Sequence, residues 1–129
     1  MLYVADTHAL VWHLTNSDKL STKVKKIFKA AEDGENNIVI PVIVLAEIVN
    51  IVEKKKAQIE FKKVIEAISV SESYIVDPLD LRLITMLFDL AVVKEIHDRI
   101  IVATARFYNA PLLTKDSMIV ASKLVETIW

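Results

Sequence analysis

The stretch Leu2-Tyr3-Val4-Ala5-Asp6-Thr7-His8-Ala9-Leu10 decides how the rest of the chain is read. Its first four residues are a short apolar run of the kind that forms a strand, and the run stops at a carboxylate. Similar runs return at Asn37 to Ile40, Tyr74 to Asp77 and Pro111 to Thr114, with a weaker one near Val125 to Trp129. Amphipathic segments separate them. Strand-like runs alternating with helical ones predict an α/β fold: a central, mostly parallel sheet flanked by helices.

The intervening segments carry their own signals. Leu20, Val24, Ile27, Phe28 and Ala31 fall at i, i+4, i+7, i+8 and i+11, one stripe of a helix that Ser21 can cap. Gly34, the only glycine, stands after Asp33 where a left-handed residue would end that helix. Pro41 can start a helix running to about Lys54. Phe61, Val64, Ile65 and Ile68 mark another, and Ile84, Leu87, Phe88 and Ala91 a further one after Pro78 ends the third strand. Ile100 to Ala105 is almost wholly apolar, so the helix that begins near Asp98 should be central and buried. No repeat, linker or low-complexity tract interrupts the pattern. A chain of 129 residues reads as a single domain, residues 1–129.

Composition removes several functions. A single glycine cannot build the glycine-rich loops that bring backbone N–H groups onto nucleotide phosphates. Without cysteine there are no disulfides, thiolate zinc sites or thiol nucleophiles. The longest apolar stretch, Ile38 to Val52, is broken by Pro41, Glu47 and Asn50 and is too short to span a bilayer. No basic region precedes the apolar N-terminal residues, so no signal peptide is expected, and the expected location is cytoplasmic. With 16 basic and 17 acidic residues, the overall field does not attract nucleic acid; any such contact must be local.

Four acidic residues stand where chemistry is plausible. Asp6 follows the first strand and Asp116 comes two residues after Thr114, which ends the fourth. In open parallel sheets ligands bind beyond the carboxyl ends of the strands. Each of these aspartates, and Asp98 at a helix start, also has the simpler reading of a helix cap. Glu47 does not, because it lies mid-helix; it sits either at the exposed edge or desolvated against a partner. If all four converge, their repulsion needs a counter-charge, and the neighbouring sequence offers little beyond Arg99 and Lys115. An all-oxygen set favours magnesium or manganese over zinc. His8 and His13 lie about 140° apart around a helix and would not share a face. They and His97 read as packing or surface residues.

Val4-Ala5-Asp6-Thr7-His8-Ala9-Leu10, Leu45-Ala46-Glu47-Ile48, His97 to Ala105 and Leu113-Thr114-Lys115-Asp116, in this order, resemble the PIN domain. Within it they resemble the small VapC-type toxins of bacterial and archaeal toxin–antitoxin pairs, and the resemblance extends to Glu126-Thr127-Ile128-Trp129. It implies an acidic, metal-holding site at Asp6, Glu47, Asp98 and Asp116, with Thr114 as a polar supporter. It also implies a Mg2+- or Mn2+-dependent endoribonuclease in which metal activates water for attack on an RNA phosphodiester. The expected partners are an RNA substrate, a cognate protein antitoxin and a second copy in a homodimer. Trp12, Leu14, Ile128 and Trp129 add an apolar excess that fits an interface.

The lysine clusters at residues 23–29 and 54–63 read as solvated faces, and 7% aromatic residues argue against extended base-stacking platforms. Two other readings compete. A phospho-receiver signalling domain shares the fold class and would use Asp77 as its acceptor and Lys115 as its late lysine. A catalytically silent PIN fold would serve only as a binding module.

Overall fold

The computed structural model describes residues 1–129. Its strands are β1 (Leu2–Ala5), β2 (Asn37–Pro41), β3 (Tyr74–Asp77), β4 (Leu112–Leu113) and β5 (Thr127–Ile128). They form one sheet in the order β3-β2-β1-β4-β5, and every pair is parallel. Seven helices accompany them: α1 (Thr7–Leu14), α2 (Thr22–Glu32), α3 (Val42–Glu53), α4 (Phe61–Val70), α5 (Leu81–Ile84), α6 (Ile96–Tyr108) and α7 (Ser117–Ser122). Ile38, Val39 and Ile40 are consecutive and all inaccessible to solvent. Neighbouring strand residues face opposite sides, so both faces of the sheet are covered.

The strand order positions the site. The chain winds outward from β1 through β2 to β3, then returns to the other side of β1 for β4 and β5. That reversal leaves a crevice beyond the carboxyl ends of β1 and β4. Val4 pairs with Leu112 and Ala5 with Leu113, and the Asp6 N–H donates to the Leu113 carbonyl at 3.2 Å. Asp6 and Thr114 therefore leave the sheet together.

Local signals account for much of the rest. The Ser21 hydroxyl accepts the Val24 N–H at 3.1 Å and starts α2. At its other end Gly34 adopts φ +80°, and the N–H groups of Gly34 and Glu35 donate to the carbonyls of Ala31 and Ala30. These paired bonds need a left-handed residue, which is why the glycine is there. Ile100 to Ala105 of α6 are all buried, as their apolar run predicts.

Three expectations need correction. Pro41 closes β2 and stands at the N-cap of α3 instead of opening the helix. Its missing N–H costs β2 nothing at the strand's last residue. The helix expected through Ile84, Leu87, Phe88 and Ala91 is divided into α5 and a 3₁₀ turn at Leu87–Leu90. The buried stripe is Leu83, Leu87 and Leu90, which also has helical spacing, while Phe88 is 88% exposed. The Arg99 guanidinium helps hold this break by donating to the carbonyls of Val93 at 2.8 Å and Leu87 and Lys94 at 3.4 Å. α6 begins at Ile96, with Glu95 as its cap in place of Asp98. α3 buries only Val44 and Ile48 fully, so it is a half-buried helix despite its apolar sequence.

Candidate active site

Asp6 ends β1 and caps α1, its Oδ1 accepting the Ala9 N–H at 2.8 Å. It is only 7% exposed. Burial pushes its carboxyl up from the ordinary value, against the pull of the Thr114 hydroxyl and the Ala9 N–H. Asp116 caps α7, with Oδ1 accepting the N–H groups of Met118 and Ile119 at 3.0 Å. Its own N–H donates to Thr114 Oγ1 at 3.1 Å. The buried Thr114 hydroxyl thus ties together the two loops that carry these aspartates. Both residues are helix caps, and both still line one crevice.

Glu47 lies on the partly exposed side of α3. Its Oε1 accepts the Thr7 hydroxyl at 2.8 Å, which joins α3 to α1 beside Asp6. Asp98 sits in the first turn of α6, where its N–H donates to Glu95 Oε2 at 2.8 Å. Its carboxylate therefore has no capping role. Burial raises the Asp98 pKa to about 6, and repulsion from Asp116, Glu95, Glu47 and Asp6 adds to the rise.

All four acids line a cavity of about 450 Å³, together with Glu95, Thr7, His8, Trp12, Ile101, Lys115 and Trp129. No lysine or arginine forms an ion pair with its carboxylates; Glu95 alone has a partner, His97, at 2.9 Å. Partial burial pushes Glu95 up, but the Asp98 and His97 N–H groups and the His97 ring outweigh it and hold the carboxyl low. Arg99, expected as a counter-charge, is occupied with backbone carbonyls. Lys115 does reach the cavity, with its ammonium 4.8 Å from the Trp12 ring centroid and 5.8 Å from that of Trp129.

Sequence reasoning missed Glu95, Thr7, His8 and the two indoles as cavity residues. Glu95 stands three positions before Asp98, where the sequence places the start of the helix. The indoles were assigned to an interface, yet they pack edge to face at 5.7 Å. His13 matches its packing assignment: it stacks on Phe28 at 4.1 Å and pairs with Glu32 at 3.4 Å.

The donor chemistry fits a hard divalent cation. Every acidic side chain here offers oxygen, and the crowding that raises Asp98 is what a cation relieves. No three His, Asp or Glu side chains stand close enough to form a ready-made cage. Such a site suits an ion that retains several waters and takes one or two carboxylates from the protein.

Asp77, the acceptor required by a phospho-receiver, is elsewhere. It is 3% exposed and closed off by Arg82 and Tyr108, away from the cavity of Asp6 and Lys115.

The family model of the PIN domain matches residues 3–122. Solved structures with the same fold include VapBC2 from Rickettsia felis bound to a DNA fragment from its promoter. It is 18% identical with a TM-score of 0.70, covering 99% of this chain and 98% of that one. A toxin–antitoxin complex from Klebsiella pneumoniae is 16% identical at a TM-score of 0.71, covering 98% and 96%. FitAcB from Neisseria gonorrhoeae is 13% identical at 0.66, covering 98% and 96%. No curated protein matches the chain in sequence.

Proposed function

This chain belongs to the PIN domain family, and from that premise we propose that it is a metal-dependent endoribonuclease, the VapC-type toxin of a toxin–antitoxin pair. The observation that carries the reading is the meeting of Asp6, Glu47, Asp98 and Asp116 in one cavity with no basic side chain paired to them. Burying and crowding carboxylates costs stability, and a fold keeps such an arrangement where a ligand repays it.

Asp6, Glu47, Asp98 and Asp116 line the cavity that would hold the cation, Mg2+ or Mn2+. A bound divalent ion supplies a water of lowered pKa and positive charge near the departing oxygen. The residues themselves provide orientation. Asp6 is fixed by the Ala9 N–H and Asp116 by two N–H groups of α7, so their free oxygens point without much reorganisation. Glu47 keeps one oxygen on Thr7 and leaves the other to accept a proton from water. Thr114 is a positioning residue, since its hydroxyl serves both aspartates. None of the carboxylates needs to attack phosphorus.

The complexes among the structural neighbours support a cognate antitoxin as protein partner. A homodimer and a cytoplasmic location complete the proposal; no helix is long and apolar enough to cross a membrane. Leu14 and Ile128 pack partly against the core. Purified protein should cleave RNA with magnesium or manganese and stop with EDTA. RNA left intact with either metal would overturn the reading. Sedimentation at tens of micromolar should show a dimer, and a monomer there would remove that part.

A further inference from the structure

The cavity is lined by two unlike groups of side chains. Carboxylates form one; Trp12 of α1 and Trp129, just beyond β5, form the other. The indole planes meet at 69°, both side chains are partly exposed, and the Lys115 ammonium lies over both rings. His8 adds a third ring 5.2 Å from Trp12. Packing explains part of this, because both indoles touch the core. It does not explain why the exposed Lys115 covers their faces when five carboxylates line the same cavity.

We propose that the Trp12–Trp129 wall with Lys115 is a base-stacking nucleotide subsite beside the scissile phosphodiester. This rests on the nuclease reading of the carboxylate wall. A nucleotide combines a flat π-face with an anion, and the wall combines indoles with the cavity's only ammonium. Cation–π contacts at an exposed lysine are weak enough to be exchanged. When a base stacks on an indole, Lys115 turns to the adjacent phosphate and offsets its repulsion from the carboxylates. Base-on-aromatic stacking tolerates any base but requires a free face. A duplex hides those faces between neighbouring pairs, whereas loops and tails present them. The subsite is a local two-ring wall, compatible with the low aromatic content of the chain.

Trp12 and Trp129 are the only tryptophans, so indole fluorescence reports on this wall alone. With magnesium present, titration of the wild-type protein with a nucleoside 5′-monophosphate should change that fluorescence, excited beyond nucleotide absorption. Ribose 5-phosphate, which lacks the base, should not. In the second arm, an abasic position is moved through a single-stranded oligoribonucleotide with a mapped cleavage site. Removing the base at one nucleotide flanking that site should lower kcat/KM roughly five- to a hundredfold, with little effect elsewhere. Equal responses to nucleotide and ribose phosphate, or no response to either, would overturn the subsite. A flat abasic profile would do so as well. If the protein cleaves no RNA, the nuclease reading fails separately, and the fluorescence comparison still decides whether these indoles bind a base.

Discussion

Two aspartates at the carboxyl edge of the same sheet are almost equally buried, and the protein treats them in opposite ways. Asp77, ending β3, is 3% exposed. Arg82 Nη2 donates to both of its oxygens, at 3.1 and 3.0 Å, and the Tyr108 hydroxyl donates at 2.6 Å. Arg82 is itself anchored by Asp80 at 3.0 Å and lies 4.3 Å from the centre of the Phe107 ring. Asp6, ending β1 two strands away, is 7% exposed and has only backbone and hydroxyl donors, with further carboxylates where Asp77 has an arginine. A buried charge that the chain neutralises by itself maintains the fold. One left beside other acids is paid for by what binds there. Burial alone does not distinguish the two; the partners do.

Substitution should separate the two regions by activity first. Asp6→Asn or Asp98→Asn should reduce metal-dependent RNA cleavage by about a hundredfold or more, the scale seen when a preorganised electrostatic group is lost. Combining Asp98→Asn with Glu47→Gln should cost little beyond the worse single change, because residues that act as a unit are not additive. Asp77→Ala should retain cleavage within roughly threefold of wild type, measured well below its melting temperature, since losses that small fall under those of groups acting at the reacting centre. An Asp98→Asn protein, free of contaminating nuclease, that retained full activity would erase the distinction.

Stability should show the reverse. Asp77→Ala removes the shared acceptor of Arg82 and Tyr108 and leaves a small void at the end of β3. The loss should be about 2 kcal/mol, within the range for breaking a buried hydrogen-bonded group, and Tm should fall by roughly 8 °C. Thermal melts of the purified variants would measure it. An unchanged Tm would mean that the Arg82 and Tyr108 bonds contribute nothing net and that Asp77 needs another explanation.

What could be read from the sequence follows the range of the forces. β1 and β3 have the predicted ends because an apolar run stopped by Asp6, or by Asp77 and Pro78, is a local signal. Ser21 and Gly34 are as legible, since caps depend on a few adjacent residues. The four acids could be named from their motifs. Their meeting in one cavity depends on strand order, which spacing does not reveal. Three features were illegible for physical reasons. Whether Ile84 or Leu83 faces the core is a one-residue choice between two helical stripes, made by packing and by the distant Arg99. Glu95 caps α6 with a long side chain that the rule favouring short polar caps overlooks. Trp12 and Trp129 meet across 117 positions, so their pairing is a consequence of the finished sheet.

The smallest effect is also the most direct test of crowding, because it uses no substrate. The folded-state pKa of Asp98, about 6, lies above its ordinary 3.8, so the folded protein binds this proton more tightly than the unfolded chain. A raised carboxyl pKa means that stability falls as pH rises from about 3.8 to about 6, and the deficit stays constant above that. Asp98 is partly exposed, so solvent screening reduces the deficit at neutral pH to about 1 kcal/mol. Asn carries no such penalty, and Glu95, not Asp98, provides the cap. The helix start favours an anion by a few tenths of a kcal/mol, too little to reverse the sign. In EDTA at pH 7, Asp98→Asn should therefore raise Tm by roughly 3 °C. The two curves should converge below about pH 3.8, where the wild-type carboxyl becomes protonated in both states. Magnesium or manganese should raise the wild-type Tm more than that of the variant, since an ion bound to the native site stabilises it by mass action. A lower Tm for Asp98→Asn in EDTA, with an unchanged metal response, would show that Asp98 supports its helix and that the carboxylates do not share a cation.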